Sequence, residues 1–178
     1  MVVKKAKFFG RVKKGMSLQE QDAYLQSVQG LFKAYCFHVH NSDFANNKGV
    51  KELKWIPSKF HKDLCDRVQE FVERPTDKAY EILVINSPPQ HGKSVTLTET
   101  LPSWYIMKHP DNSVIQVSYG DDLAERFGKR NLEKVREFGN IFGVSVDPKK
   151  ATAREFQISG HKGRMISKGI GSGLTGHS

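Results

Sequence analysis

Apolar residues recur at helical spacing in three parts of the chain, and each part begins with a helix-start signal. Ser17 opens an S-x-x-E capping box, which predicts an amphipathic helix from residue 18 to about residue 36. Ser58 is a candidate N-cap for a second helix over residues 59–72. A third helix is predicted from residue 121 to about residue 138, with apolar positions inward and charges outward.

Two runs of β-branched residues, Ile82–Asn86 and Val114–Tyr119, predict buried strands. Between them, Ser94–Leu101 is predicted to be helical, and Pro102 is expected to bend or restart that helix. Two strands linked by a helical crossover predict an α/β fold, with a parallel sheet flanked by helices. Further along, residues 155–158 and 164–167 could pair as short strands across a glycine-containing turn.

The loop after the first predicted strand has the layout of a phosphate-binding loop. Gly92 lets the backbone approach a phosphate, Lys93 can place a charge on it, and Ser94 can offer a hydroxyl to Mg²⁺. Ser87 stands where the usual pattern has glycine, and the two prolines after it have no amide hydrogen to donate. A surface loop with a solvated lysine is the alternative. The candidate phosphate-binding residues are Ser87, Pro88, Pro89, Gln90, His91, Gly92, Lys93 and Ser94.

Composition and charge narrow the class of protein. A chain of 178 residues with 38% hydrophobic residues supports one principal domain, and the net charge of +9 suits a polyanionic partner such as nucleic acid. We divide the chain into a basic arm and N-terminal helical segment, residues 1–50, and a main domain, residues 51–178. The basic residues within the first 15 positions predict a solvated tail more than a nucleic-acid arm. No stretch is long and apolar enough to predict a membrane span or a secretory signal.

Cysteine and histidine residues near the first two helices could be imagined as a metal site. Their spacing matches no common zinc finger, so we interpret them as core or surface side chains. The two cysteines of the chain are too few for a disulfide framework. The residues concerned are Cys36, His38, His40, His61 and Cys65.

Three blocks of the sequence, SPPQHGKS, SYGDDLAERFGKR and KGIGSGLTGH, together resemble the ATPase half of a tailed-bacteriophage terminase large subunit. The resemblance covers roughly residues 50–178 and implies a RecA-like, additional-strand (ASCE) P-loop NTPase fold. It implies ATP and Mg²⁺ as cofactors, with Lys93 as the catalytic lysine on the β/γ-phosphates and Ser94 on Mg²⁺. It also implies adenine contacts from Phe60 and His61, although His61 stands where the family often has glutamine.

In such proteins, a glycine-rich run like residues 168–178 leads into the strand with the acidic Walker B pair. This sequence ends before such a strand, so we expect the fold to be incomplete at its C-terminus and hydrolysis by this fragment to be poor. Asp121 and Asp122 follow a strand, but we assign them to a helix start, where acidic residues favour the dipole. An arginine finger is unassigned, because His177 stands where the family often has arginine. The candidates, each interpreted first as a surface or helix-face charge, are Arg126, Arg130, Arg154 and Arg164.

The resemblance implies the ATP-binding part of a motor that couples ATP hydrolysis to translocation of double-stranded DNA into a capsid. The family's nuclease domain is absent from this sequence. The implied partners are double-stranded DNA, the capsid portal and the small terminase subunit, in a ring-shaped oligomer in the host cell cytoplasm and without a membrane. Two alternatives stay open: another P-loop ATPase such as a helicase or repair motor, and a non-catalytic basic module for DNA binding or assembly.

Overall fold

The computed structural model of the protein describes residues 17–41 and 55–170. Contacts along the backbone divide the chain into two units, Met1–Ile85 and Asn86–Ser178. The predicted domain boundary, the basic arm and the end of the glycine-rich run lie outside the described residues. Within the described ranges, no helix is long and apolar enough to cross a membrane.

The described part of the first unit begins with two helices, α1 (Leu18–Gly30) and α2 (Phe32–His40), where the sequence predicts one. The predicted capping box is confirmed, since the Glu20 amide donates to Ser17 Oγ and the Ser17 amide donates to Glu20 Oε2. Leu31 separates the two helices in an extended conformation, with φ −117° and ψ 118°. A helix was correctly predicted here, but the break was not.

A side chain from the third helix, α3 (Lys59–Glu73), bridges the break at Leu31. Gln69 Nε2 donates to the Gly30 carbonyl at 2.8 Å, and Gln69 Oε1 accepts from the Phe32 amide at 2.9 Å. Backbone groups at a helix end need such partners when the helix stops. The break therefore depends on a residue far along the chain.

The helices of the first unit share an apolar core. The helix predicted over residues 59–72 is confirmed as α3, and it buries Leu64, Cys65 and Val68. α2 contacts both α1 and α3. The fully or nearly fully buried residues of this core are Val28, Phe32, Tyr35, Cys36, Leu64, Cys65 and Val68.

The segment Ile82–Asn86 is not a strand, so the prediction of a buried strand before the loop is wrong. Ile82 and Val84 are 75% and 74% exposed. A strand is stabilised by pairs with its neighbours, and none of the described strands pairs with this segment. Its β-branched composition is therefore not sufficient to make it a strand.

The second unit combines helices with a sheet. Its helices are a π-helix (Ser94–Thr98), α4 (Leu101–Lys108) and α5 (Asp121–Phe142). α5 confirms the predicted third amphipathic helix and continues to Gly143, whose left-handed conformation (φ 74°) ends it. The four strands of the sheet are β1 (Val114–Ser118), β2 (Val146–Ala151), β3 (Glu155–Ile158) and β4 (Arg164–Gly169).

The sheet has the order β1-β4-β3-β2 and is mixed. β1 and β4 are parallel, with Val114 opposite Met165 and Ser118 opposite Gly169, whereas β3 is antiparallel to both β4 and β2. The α/β class with flanking helices is confirmed, but the prediction of a parallel sheet is wrong for this part of the chain. The physical reason is the short connection at Gly160 (φ 77°), because a tight turn can only reverse the chain.

α5 lies closely against β4 and the loop before β3. A Cβ added at Gly128 would overlap the carbonyl oxygen of Ala153 and lie 2.7 Å from Ser167 Oγ. Only glycine allows this approach without a shift of the backbone. The largest fully buried side chains of this unit are Trp104, Phe138, Phe156, Ile106, Met107, Ile158 and Met165.

Candidate functional site

The predicted phosphate loop, residues 87–94, turns through two residues in the left-handed conformation. These are Gln90, with φ 62°, and Gly92, with φ 72°. Lys93 then has right-handed helical angles, φ −52° and ψ −52°. A positive φ at a residue other than glycine is uncommon and concentrates at functional sites. Such alternation of left- and right-handed residues makes backbone concavities that bind anions.

The first half of the loop, residues 88–91, is stiffened by two prolines and a side-chain hydrogen bond. Pro88 and Pro89 have fixed φ angles. His91 Nδ1 donates to the Pro89 carbonyl at 2.7 Å, which ties the ring to the turn. A loop held in this way needs less ordering when it meets a ligand than a flexible loop does.

Lys93 and Ser94 lie where the loop becomes the π-helix. Lys93 is half-buried and Ser94 is exposed. The Thr96 amide donates to the Gly92 carbonyl at 2.9 Å, so the first helical turn begins directly on the loop. A lysine and a serine thus follow the left-handed residues directly, and their ammonium and hydroxyl groups are of the kinds that suit phosphate oxygens and a hard cation. The roles of these residues stay predictions.

The helix after the loop is a π-helix, because the Glu99 amide donates to the Ser94 carbonyl, five residues back, at 3.0 Å. Turns of this kind are rare and are frequent at functional sites. The predicted restart at Pro102 is confirmed, since α4 begins at Leu101 with proline in its first turn.

Two buried amide side chains hold the junction between the π-helix and α4, and the sequence analysis missed both. Asn131 Nδ2 donates to the Thr98 carbonyl at 2.9 Å, and Gln116 Nε2 donates to it at 3.3 Å. Asn131 Oδ1 accepts from the Ser103 amide at 3.0 Å. The sequence contains one indication of this contact. Pro102 lacks the amide hydrogen that would bond to the Thr98 carbonyl in a continuous helix.

Three of the four candidate arginine fingers are ion-paired. Arg130 Nη1 lies 2.9 Å from Glu99 Oε2, and Arg164 Nη1 lies 3.6 Å from Glu155 Oε1. Arg154 Nε lies 2.9 Å from Glu125 Oε2, and this hydrogen bond raises the pKa of Arg154. The fourth candidate, Arg126, has its guanidinium 5.8 Å from the centre of the neighbouring Phe127 ring. These partners support the interpretation of all four as surface or helix-face charges.

Asp121 and Asp122 begin α5, as predicted. Asp121 Oδ1 accepts from the Gly169 amide at 2.8 Å, at the end of β4. The Ile170 amide donates to the Ser118 carbonyl at 2.9 Å, so the chain continues beside β1 past that point. Asp121 thus joins the start of α5 to the end of β4.

The predicted adenine-binding residues, Phe60 and His61, lie at the start of α3 in the first unit, whereas the phosphate loop belongs to the second. Their ring centres are 5.5 Å apart in an edge-on arrangement. Ser58 takes the N-cap position, but its side chain pairs with His61 Nδ1 at 2.8 Å rather than with a backbone amide. The adenine role stays a prediction.

The two cysteines and His38 occupy separate environments, whereas the rings of His40 and His61 both lie against Trp55, with ring centres 5.2 and 5.6 Å away. Cys65 Sγ lies 3.9 Å from Cys36 Sγ, and this contact lowers the pKa of the Cys65 thiol. His38 Nδ1 lies 2.9 Å from the Tyr24 hydroxyl; burial lowers the pKa of His38 to about 4 and raises that of Tyr24 to about 12. In the part of the chain that the structure describes, no three His, Cys, Asp or Glu residues are grouped to hold a metal ion.

A family model described as terminase large subunit, T4likevirus-type, N-terminal, matches residues 84–173. The matched span is just over half of the chain and includes the phosphate loop, the π-helix and the whole sheet. Comparisons with curated proteins and with solved structures give no match.

Proposed function

This chain belongs to the family of terminase large subunits, T4likevirus-type, N-terminal, and on that basis we propose that it is the ATP-binding part of a viral DNA-packaging motor. The observation that carries the proposal is the family match, which spans the loop and the sheet together. The parent fold in this proposal is the RecA-like P-loop NTPase, of which the mixed sheet and its helices form a part.

In the proposed site, the loop binds the phosphates of ATP. Lys93 contacts the β/γ-phosphates, Ser94 holds Mg²⁺, and the amides from Gln90 onward surround the phosphate oxygens. The left-handed conformations of Gln90 and Gly92 support this assignment, because they form the kind of backbone concavity that anions occupy. ATP supplies the phosphoanhydride bond, and the residues of this chain bind and orient it.

Hydrolysis is proposed for the full-length protein. A hydrolase of this class needs carboxylates to complete the Mg²⁺ shell and to orient the attacking water. Asp121 accepts a hydrogen bond from the backbone of β4, which supports a structural role for it. We therefore assign no catalytic carboxylate to this chain and expect slow turnover from it alone.

The proposed partners follow from the same family membership. They are double-stranded DNA, the capsid portal and the small terminase subunit, in a ring-shaped assembly in the host cell cytoplasm. The net charge of +9 supports a polyanionic partner. Binding to DNA would then weaken steeply as salt is raised, because each neutralised phosphate releases counterions.

Calorimetric titration with ATP and Mg²⁺ tests the proposal directly. The variants are Lys93→Ala, which removes the ammonium of the loop, and Lys129→Ala, which removes the same charge from an exposed position of α5. Release of phosphate is followed in parallel. We expect the parent chain and Lys129→Ala to bind alike, Lys93→Ala to bind at least about tenfold more weakly, and turnover to stay near background.

Equal binding by all three proteins would show that Lys93 does not contribute to ATP binding and would contradict the assignment of the loop to the site. Absence of binding by the parent chain would contradict the proposal that this part of the family carries the nucleotide. Rapid turnover would show a catalytic carboxylate within the chain and would redirect the assignment to Asp121 and Asp122.

A further inference from the structure

The Thr98 carbonyl lies where the π-helix stops, and Pro102 deprives it of its usual partner. In a continuous α-helix, the amide of the residue four positions ahead would donate to this carbonyl. Proline has no amide hydrogen. The Asn131 side chain, 33 positions further along, fills that role at 2.9 Å, with Gln116 Nε2 at 3.3 Å as a second donor.

The same asparagine serves the start of α4. The first amides of a helix are commonly satisfied by an oxygen of the N-cap side chain. Thr100 is the N-cap residue here, but its hydroxyl donates to the Val95 carbonyl at 2.7 Å. Asn131 Oδ1 instead accepts from the amide of Ser103, the third residue of α4, at 3.0 Å. One amide group therefore completes both helix ends.

The position of Asn131 makes it a rigid anchor. Asn131 is fully buried, and its Nδ2 also donates to the Phe127 carbonyl of its own helix at 2.9 Å. The preceding residue, Arg130, pairs with Glu99 at 2.9 Å, just beyond the π-helix. Consecutive residues of α5 thus contact the junction that follows the phosphate loop.

We infer that Asn131 is a positioning residue for the phosphate loop. By holding both sides of the junction, it fixes the direction of the π-helix and with it the placement of Lys93 and Ser94 toward a nucleoside triphosphate with Mg²⁺. This inference rests on the proposed function for its ligand, and on the hydrogen bonds of the junction for its mechanism. Local sequence does not set that direction, because Pro102 breaks the helix there.

The experiment compares four variants of the full chain with the parent. Asn131→Ala removes the anchor, and Val135→Ala is the control, since it truncates another buried side chain of α5. Pro102→Ala restores an amide that can donate to the Thr98 carbonyl, alone and combined with Asn131→Ala. The measurements are hydrogen exchange at the Thr96 and Glu99 amides, and the affinity for ATP with Mg²⁺.

We expect Asn131→Ala to speed exchange at these two amides roughly tenfold and to weaken ATP binding by a similar factor, because the Thr98 carbonyl loses its closer donor and the Ser103 amide loses its acceptor. Pro102→Ala should recover part of both losses in the double variant. Val135→Ala, compared at equal global stability, should change neither. Asn131→Ala and Val135→Ala that behave alike in both measurements, with no recovery by Pro102→Ala, would overturn the inference.

The two proposals fail in different ways. If the parent chain binds no ATP while Asn131→Ala still speeds exchange selectively at Thr96 and Glu99 and Pro102→Ala reverses it, positioning of the loop is supported and the nucleotide proposal is not. If ATP binds and Lys93→Ala abolishes it but Asn131→Ala changes neither exchange nor affinity, the proposed function stands and the positioning role is wrong.

Discussion

The apolar segments Ile82–Asn86 and Val114–Ser118 have similar compositions but different structures. The second pairs with β4 along its length, and its middle residue, Gln116, is 7% exposed. Its apolar residues Ile115 and Val117 are 61% and 46% exposed, so the strand was predicted correctly but its burial was not. The first has no strand beside it among the described residues, and its side chains are largely exposed. Both segments therefore have the composition of a strand, but only the segment that can pair with a neighbouring strand forms one.

Two helix breaks also depend on residues that are distant in sequence. α1 and α2 separate at Leu31, and the π-helix and α4 separate before Leu101. In each case an amide side chain from another helix, Gln69 or Asn131, pairs with backbone groups on both sides of the break. A distant amide can therefore make a helix break stable where the local sequence supplies no cap.

The largest effect is expected from disturbing the sheet in which β1 pairs with β4. Gly128→Ala would drive a Cβ into the Ala153 carbonyl and against Ser167, and so separate α5 from β4. We expect the second unit to lose about 3 kcal/mol or more of stability, because a backbone carbonyl cannot move aside cheaply. Chemical denaturation followed through Trp104, in a Trp55→Phe background, measures this loss.

Two controls accompany this variant. Gly120→Ala adds a Cβ in open space, so it should cost less than about 1 kcal/mol. The buried thiols of Cys36 and Cys65 lie in the first unit and should stay protected from alkylation in Gly128→Ala. Equal stabilities of Gly128→Ala and the parent would show that close contact with α5 does not maintain the sheet.

A change of pH perturbs the first unit through His38. Burial lowers its pKa to about 4 from an ordinary value of 6.5, so between these values the unfolded chain binds the proton and the folded chain does not. Stability from this group is fully present above pH 6.5 and is lost as the pH falls toward 4, by about 2–3 kcal/mol.

The measurement for His38 is denaturation followed through Trp55 in a Trp104→Phe background, at several pH values. His38→Gln is the control, because glutamine can keep a hydrogen bond to Tyr24 and does not titrate. The slope between pH 4 and 6.5 should shrink in this variant. An unchanged slope would assign the acid sensitivity to other groups.

The smallest expected effect concerns the exposed segment itself. Val84 is 74% exposed and Val68, in the core of the same unit, is 2% exposed. Val84→Thr should change stability by less than about 0.5 kcal/mol, whereas Val68→Thr should cost about 1–3 kcal/mol for burying a hydroxyl. Comparable losses in both variants would mean that residues 82–86 are packed in solution.

Local signals accounted for much of the fold. The capping box at Ser17, the strand at residues 114–118 and the antiparallel pairing of residues 155–158 with 164–167 were all predicted from short-range patterns. β2 was missed because Val146–Ala151 contains a proline and two lysines. Its place at the edge of the sheet tolerates a residue without an amide hydrogen.

In the candidate site, too, the residues adjacent in sequence were predicted and the residue that depends on packing was not. The phosphate loop was found from residues adjacent in sequence, and its turn at Gly92 required only a glycine with positive φ. Asn131 could not be identified in this way, because its hydrogen-bond partners lie 28 and 33 positions away and are brought to it only by the packing of α5. Pro102 indicated that something must serve the Thr98 carbonyl, but not which residue.

In the proposed function, residues 87–94 bind the phosphates of ATP. Hydrogen exchange across residues 82–118, with and without ATP and Mg²⁺, tests it most directly. We predict slower exchange at the amides from Gln90 to Ser94, no change in Val114–Ser118, and loss of the protection in Lys93→Ala. Exchange in the loop that is unchanged by ATP, or equal protection in Lys93→Ala, would contradict the claim.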